Sequence, residues 1–157
     1  MGIRRMNKLL KFIISIIICQ LAGIIGSIFT VSSVNSWYLT LVKPSFNPPS
    51  WVFSPVWITL FVLMGISLYL IWEAKDNKKT MILFYVQLVL NILWSIMFFG
   101  LKNPLLAFIE IIILWIFILM TIIYSYRISR PAAYLLAPYI LWVTFAAVLN
   151  FMIYWLN

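Results

Sequence analysis

Three polar side chains interrupt one of the most apolar stretches of this chain: Gln87, Asn91 and Ser95, at i, i+4 and i+8. On a helix that spacing puts them on one face, with Trp94 beside them. A second stripe, Tyr139, Trp142, Ala146 and Asn150, has a helical period too, and a third runs Trp57, Phe61, Gly65. Glu110 is a lone carboxylate inside an apolar run. No nucleophilic triad is visible. The chain has no histidine and one cysteine, Cys19. That excludes a disulfide within the chain and leaves little basis for zinc or His-ligated haem chemistry. Amides, one carboxyl and several indoles together suit the binding of a flat hydrophobic ligand: aromatic faces stack on it and a few polar groups orient it. The plainer alternative is that Gln87 and Asn91 only join helices. Glu110 fits either reading, as a site residue or as a neutral partner of Asn91 or Gln87.

These residues must be carried by membrane-spanning helices. Hydrophobic residues make up 66% of the 157 and charged residues 9%, more apolar surface than a chain this size can hide in its own interior. The net charge of +8 sits in short clusters between apolar runs, which fits membrane topology better than nucleic-acid binding. Runs of roughly 20 apolar residues predict helices over 9–31, 50–72, 80–100, 104–126 and 131–156. The first is read as a span and not a signal peptide, because its apolar run is too long and no A-x-A site closes it. Within it, Ala22, Gly23, Gly26 and Ser27 give small-xxx-small spacing, read as packing within the monomer before dimerisation. Asn47 or Ser50 is expected to cap the second helix, with a kink near Pro55, and Gly100 to end the third. Trp51, Trp72, Tyr154 and Trp155 read as interfacial belt residues, and Trp115 as packing.

Between the first two helices lies WYLTLVKPSFNPPSWVFSPVW, residues 37–57. Pro44, Pro48, Pro49 and Pro55 stiffen it, so it reads as a preformed lid. Nine Lys and Arg (Arg4, Arg5, Lys8, Lys11, Lys75, Lys78, Lys79, Arg127, Arg130) fall on one side of a five-span chain, against Lys43 and Lys102 on the other. The N-terminus is therefore expected in the cytoplasm and the lid outside. Counted inward at ~1.5 Å per residue, Trp57, Gln87, Asn91, Glu110, Trp142 and Asn150 lie roughly 9–21 Å below the outer surface, beneath the lid.

Taken in order, these residues resemble the TspO/MBR family of translocator proteins and tryptophan-rich sensory proteins. The resemblance covers about residues 37–155. It rests on Trp37-Tyr38, Lys43-Pro44-Ser45-Phe46, Pro48-Pro49, Phe53, Pro55-Val56-Trp57, Gln87, Asn91, Trp94-Ser95, Phe98-Phe99-Gly100, Pro104, Ala107, Glu110, Pro138-Tyr139, Trp142, Phe145-Ala146 and Leu149-Asn150. It implies an all-α integral membrane protein: a bundle of five transmembrane helices around a pocket closed by the first loop. It also implies binding of protoporphyrin IX as a ligand, with no resident cofactor, and often a homodimer. By motif position Tyr38, Pro48, Trp57, Phe61, Gln87, Asn91, Trp94, Glu110, Trp142 and Ala146 line that pocket. Tyr139 and Asn150 join them from the helical stripe, and Lys43 is placed to pair with a propionate. Trp57 and Trp142 match tryptophans implicated in light-dependent porphyrin breakdown. The expected function is a porphyrin-binding protein or sensor; the alternatives are a porphyrin-degrading enzyme and a transporter. The last stretch, Val148 to Asn157, has no basic residue, which argues against the cholesterol pattern of animal relatives. A bacterial cell membrane is the expected location.

Overall fold

The computed structural model describes residues 6–157. The basic residues Arg4 and Arg5, used above for orientation, lie outside the described residues. In order come α1 (Lys8–Val34), α2 (Trp37–Thr40), a 3-10 turn (Ser50–Val52), α3 (Phe53–Glu73), α4 (Lys78–Ser95), a π turn (Ile96–Gly100), α5 (Pro104–Ile128), α6 (Arg130–Leu135) and α7 (Ala137–Leu156). No strand occurs among the described residues. Five stretches are long and apolar enough to cross a bilayer: Lys8–Val34, Ser50–Glu73, Lys78–Gly100, Pro104–Ile128 and Arg130–Leu156. In hydrocarbon every backbone N–H and C=O needs an internal partner, and a helix supplies it within one segment. The protein is an integral membrane protein built on this plan.

Local chemistry sets the helix ends. Asn7 accepts from the Leu9 N–H at 3.1 Å and caps α1. Asn103 accepts from the Leu106 N–H at 3.0 Å and caps α5, with Pro104 in its first turn where a missing donor costs least. The second span does begin at Ser50, as a 3-10 turn, but neither Asn47 nor Ser50 caps it. Asn47 instead accepts from the Tyr38 hydroxyl at 2.7 Å and donates to the Pro48 carbonyl at 3.1 Å, so it ties the lid together. The third span does end at Gly100, as expected, but without a left-handed glycine. The backbone bonds Leu101 N–H to the Ile96 carbonyl at 2.7 Å, and Lys102 takes the positive φ of 53°. The fifth span is two helices. Pro138 lacks the N–H that would continue the ladder, and the chain re-forms as α7 beyond Leu136.

Packing runs in a ring. α1 lies mainly on α3, α4 on α5, and α5 on α7, while α6 leans on α3 and α5. Side chains fasten the joints. Ser67 Oγ donates to the Ala132 carbonyl at 2.8 Å, joining α3 to α6. Ser33 Oγ donates to the Phe99 carbonyl at 2.7 Å, joining α1 to the π turn. Lys11 pairs with Glu73 at 2.6 Å. The closest approach of a glycine to another helix's backbone is at Gly65, where an added Cβ would sit 2.8 Å from Ile16 Cα and 3.2 Å from the Ser15 carbonyl oxygen. Small residues allow such backbone contact between membrane helices. Because the obstacle is backbone, Gly65→Ala is expected to destabilise the protein by about 1–3 kcal/mol. Thermal unfolding in detergent measures this; a midpoint equal to wild type would mean that α1 and α3 separate at no cost.

Candidate functional site

A cavity of about 470 Å³ lies between α1, α3, α4 and α7 beneath α2. Volumes of 300–1,000 Å³ are usual for small-molecule sites. Its walls are two aromatic groups. In one, Trp57 stacks on Phe61 with ring centroids 5.5 Å apart and an interplanar angle of 28°, and Trp142 meets Phe53 edge-on at 6.1 Å. In the other, Trp94 stacks on Phe98 at 5.4 Å and 23°, and Tyr38 meets Phe99 at 5.8 Å. All eight rings line the cavity. The π turn matters here, because the extra residue in its loop re-aims Phe98 and Phe99 onto Trp94 and Tyr38.

The polar groups divide by what they are already doing. Asn150 is 1% exposed and fully committed: its Oδ1 accepts from the Trp94 indole at 3.0 Å and its Nδ2 donates to the Pro104 carbonyl at 2.8 Å. It positions Trp94. Asn91 donates to the Tyr139 hydroxyl at 3.0 Å, and its carbonyl oxygen has no partner among the described residues. Asn91 lines the cavity, so that oxygen is an acceptor open to a ligand. Tyr38 is 3% exposed, and burial raises its phenol above the ordinary value.

Of the residues read from the sequence, Tyr38, Trp57, Phe61, Asn91, Trp94, Trp142, Ala146 and Asn150 come together on the cavity wall. Lys43, Pro48, Gln87, Glu110 and Tyr139 do not line it. Tyr139 stands behind Asn91 as its hydrogen-bond partner, edge-on to Trp57 at 6.4 Å. Lys43 Nζ donates to the Leu41 carbonyl at 3.1 Å and lies 4.9 Å from the Tyr38 ring centroid, so it sits one layer outside the wall. Glu110 belongs to α5, which packs on α4 and α7 and contributes nothing to the wall. Neither of its oxygens, nor either amide atom of Gln87, nor the Trp142 N–H has a hydrogen-bond partner among the described residues. The expected bond from Glu110 to Asn91 or Gln87 is therefore not made.

The expected first helix is present, but the sequence assigns none of its residues to the site, whereas Gly23, Gly26, Ser27 and Thr30 line the cavity; their small-residue spacing is the signal, and it fits packing equally well. The cavity also reaches Ile24 of α1 and Ile58 of α3, which are 56% and 58% exposed. It therefore opens sideways at the α1–α3 seam as well as lying under the loop. Gln20 crosses that seam, its Nε2 donating to the Ile58 carbonyl at 3.3 Å.

Comparison with known proteins agrees with this architecture. The TspO/MBR family pattern matches residues 15–156. The chain is 45% identical over 157 residues to a protein named tryptophan-rich protein TspO from Chlorobaculum tepidum, covering 97% of this chain and 99% of that one. It is 46% identical to a protein of the same name from Archaeoglobus fulgidus, covering 96% and 99%. It is 34% identical to the translocator protein of Bos taurus, covering 84% and 81%.

Asn150→Leu removes both bonds at once and strands the Trp94 indole N–H, while the Pro104 carbonyl keeps its bond within α5. Expected is a loss of about 1–3 kcal/mol, read as a lower unfolding midpoint together with a changed tryptophan emission spectrum. A variant with the wild-type spectrum would show that Trp94 needs no such anchor.

Proposed function

The chain belongs to the TspO/MBR family, and on that premise we propose that it binds a metal-free porphyrin, protoporphyrin IX or a similar flat tetrapyrrole, in the tryptophan-lined cavity. The observation that carries this reading is the pairing of two aromatic walls with the open Asn91 carbonyl. Indole faces stack on a macrocycle, and an amide oxygen accepts from a pyrrole N–H, which a metal-free porphyrin still has. Lys43, beside Tyr38 at the loop edge, suits a propionate reaching out of the cavity. The role is that of a binding protein or sensor acting in tetrapyrrole metabolism or stress response. It would work as a homodimer in a bacterial cell membrane, with the lysine- and arginine-rich end of the bundle in the cytoplasm.

A second reading has one specific support: Trp57 and Trp142 line the same cavity. A bound porphyrin is itself a photosensitiser, so light-driven oxidation of the ligand beside these indoles is the enzymatic alternative. Transport, as the name of the bovine relative suggests, needs an exit that the side opening between α1 and α3 would supply.

Titrating protoporphyrin IX into the purified protein in the dark is expected to quench tryptophan emission saturably. Replacing Trp57 and Trp142 together by Phe should weaken both quenching and affinity, and unchanged values would remove the cavity from the proposal. Illumination then separates the readings: bleaching that depends on the two tryptophans favours the enzyme, and a stable complex favours the sensor. Lys43→Gln should weaken protoporphyrin IX about 2–5-fold, the range of an exposed ion pair, and leave its dimethyl ester unaffected. An equal loss for acid and ester would remove Lys43 from propionate recognition.

A further inference from the structure

The end of the bundle where α3 and α5 finish and α4 and α6 begin has a chemistry the cavity does not use. Lys75, Lys78, Lys79, Arg127 and Arg130 are all exposed there. Lys79 Nζ donates to the Tyr124 hydroxyl at 2.6 Å and stands 4.2 Å from the ring centroid. The Arg127 guanidinium lies 5.3 Å from the same centroid. Arg130 lies 5.3 Å from the Tyr126 ring, which meets Tyr134 edge-on at 6.1 Å. Among the described residues no carboxylate is within ion-pair distance of Lys79, Arg127 or Arg130.

Two cations therefore converge on one tyrosine with no anion between them. Ring attraction at an exposed site is about 0.5–1 kcal/mol per cation, and the two like charges repel. A topology signal requires positive charge near this end of the helices; it does not require convergence on a shared ring. Accepting from Lys79 leaves the Tyr124 hydroxyl hydrogen free to donate. An ammonium, a guanidinium that can grip two oxygens at once, and a phenol donor form a phosphate site. The neighbouring Tyr126 and Tyr134, 45% and 63% exposed, suit the membrane–water interface, where tyrosines are enriched.

We propose that Lys79 and Arg127, with Tyr124, bind the phosphate headgroup of an anionic phospholipid in the leaflet at this end of the bundle; Arg130 and Tyr134 gather at Tyr126, two residues on and therefore on the other side of α5. Basic clusters beside membrane helices recognise such lipids, each cation contributing about fivefold in affinity.

The test is calorimetry on the full-length protein in a non-ionic detergent, with dihexanoyl phosphatidylglycerol, dihexanoyl phosphatidylcholine and glycerol 3-phosphate as probes. Saturable binding of the anionic lipid, about tenfold or more tighter than the zwitterionic one, is expected from the convergence of two cations. Lys79→Gln and Arg127→Gln together should erase that preference. Arg130→Gln, on the other side of α5, should retain most of it, as should Lys102→Gln at the opposite end. Equal binding of both lipids by the wild type overturns the proposal without reference to any variant. So does a folded double variant that still discriminates. Glycerol 3-phosphate binding as tightly as the lipid overturns the lipid assignment in favour of a soluble phosphate ligand.

Discussion

The contact on which the rest depends is the backbone approach of α3 to α1 at Gly65. There the backbones come so close that a Cβ at 65 would lie 2.8 Å from Ile16 Cα, with the Ile16 side chain folded against the same spot. One turn along α3 the spacer is the Phe61 ring, against Gly23. A further turn along, Trp57 and Ser27 both face empty space. The helices are pinched at one end and held apart by progressively more at the other. The cavity is the wedge this leaves, and its side opening is the same wedge seen from the lipid. A bulky residue at 65 would not fill the site; it would remove the fulcrum that creates it.

Within the wedge, rigidity comes from buried hydrogen bonds that use up the asparagines. In hydrocarbon an amide that satisfies both its atoms locally becomes part of the frame. Asn150 does so, holding Trp94 against α7 and α7 against the start of α5. Asn91 is half committed, to Tyr139, and so keeps one atom for recognition. Two residues of one chemical type therefore have different roles, decided by the number of neighbours within reach.

This division marks the limit of what the sequence discloses. Helical spacing placed Asn91, Trp94, Trp142 and Asn150 on inward faces, because an apolar run with a polar stripe has few other solutions in a bilayer. Depth counting also grouped Gln87 and Glu110 with them. Depth is one coordinate, however, and which neighbour a helix packs on is another. α5 lies behind α4 and α7, so its carboxyl is buried without reaching the wall. The π turn escaped notice because it follows from the Leu101–Ile96 hydrogen bond, which no residue type announces. α1 escaped because small residues signal close contact and open space equally well.

The lid has a tether outside its own prolines. Asn157 bonds both backbone groups of Val42, accepting from its N–H at 2.9 Å and donating to its carbonyl at 2.9 Å. It also donates to the Ile153 carbonyl, so the clasp is continuous with the last turn of α7. The first loop and the final helical turn thus form one mechanical unit, although 115 residues separate the bonded pair. Fraying of that turn loosens the roof over the aromatic walls, and of the residues that line the cavity it involves Ile153 alone. The side chain at position 157 is therefore a remote control on the loop: what it holds is the roof, although it stands outside the wall.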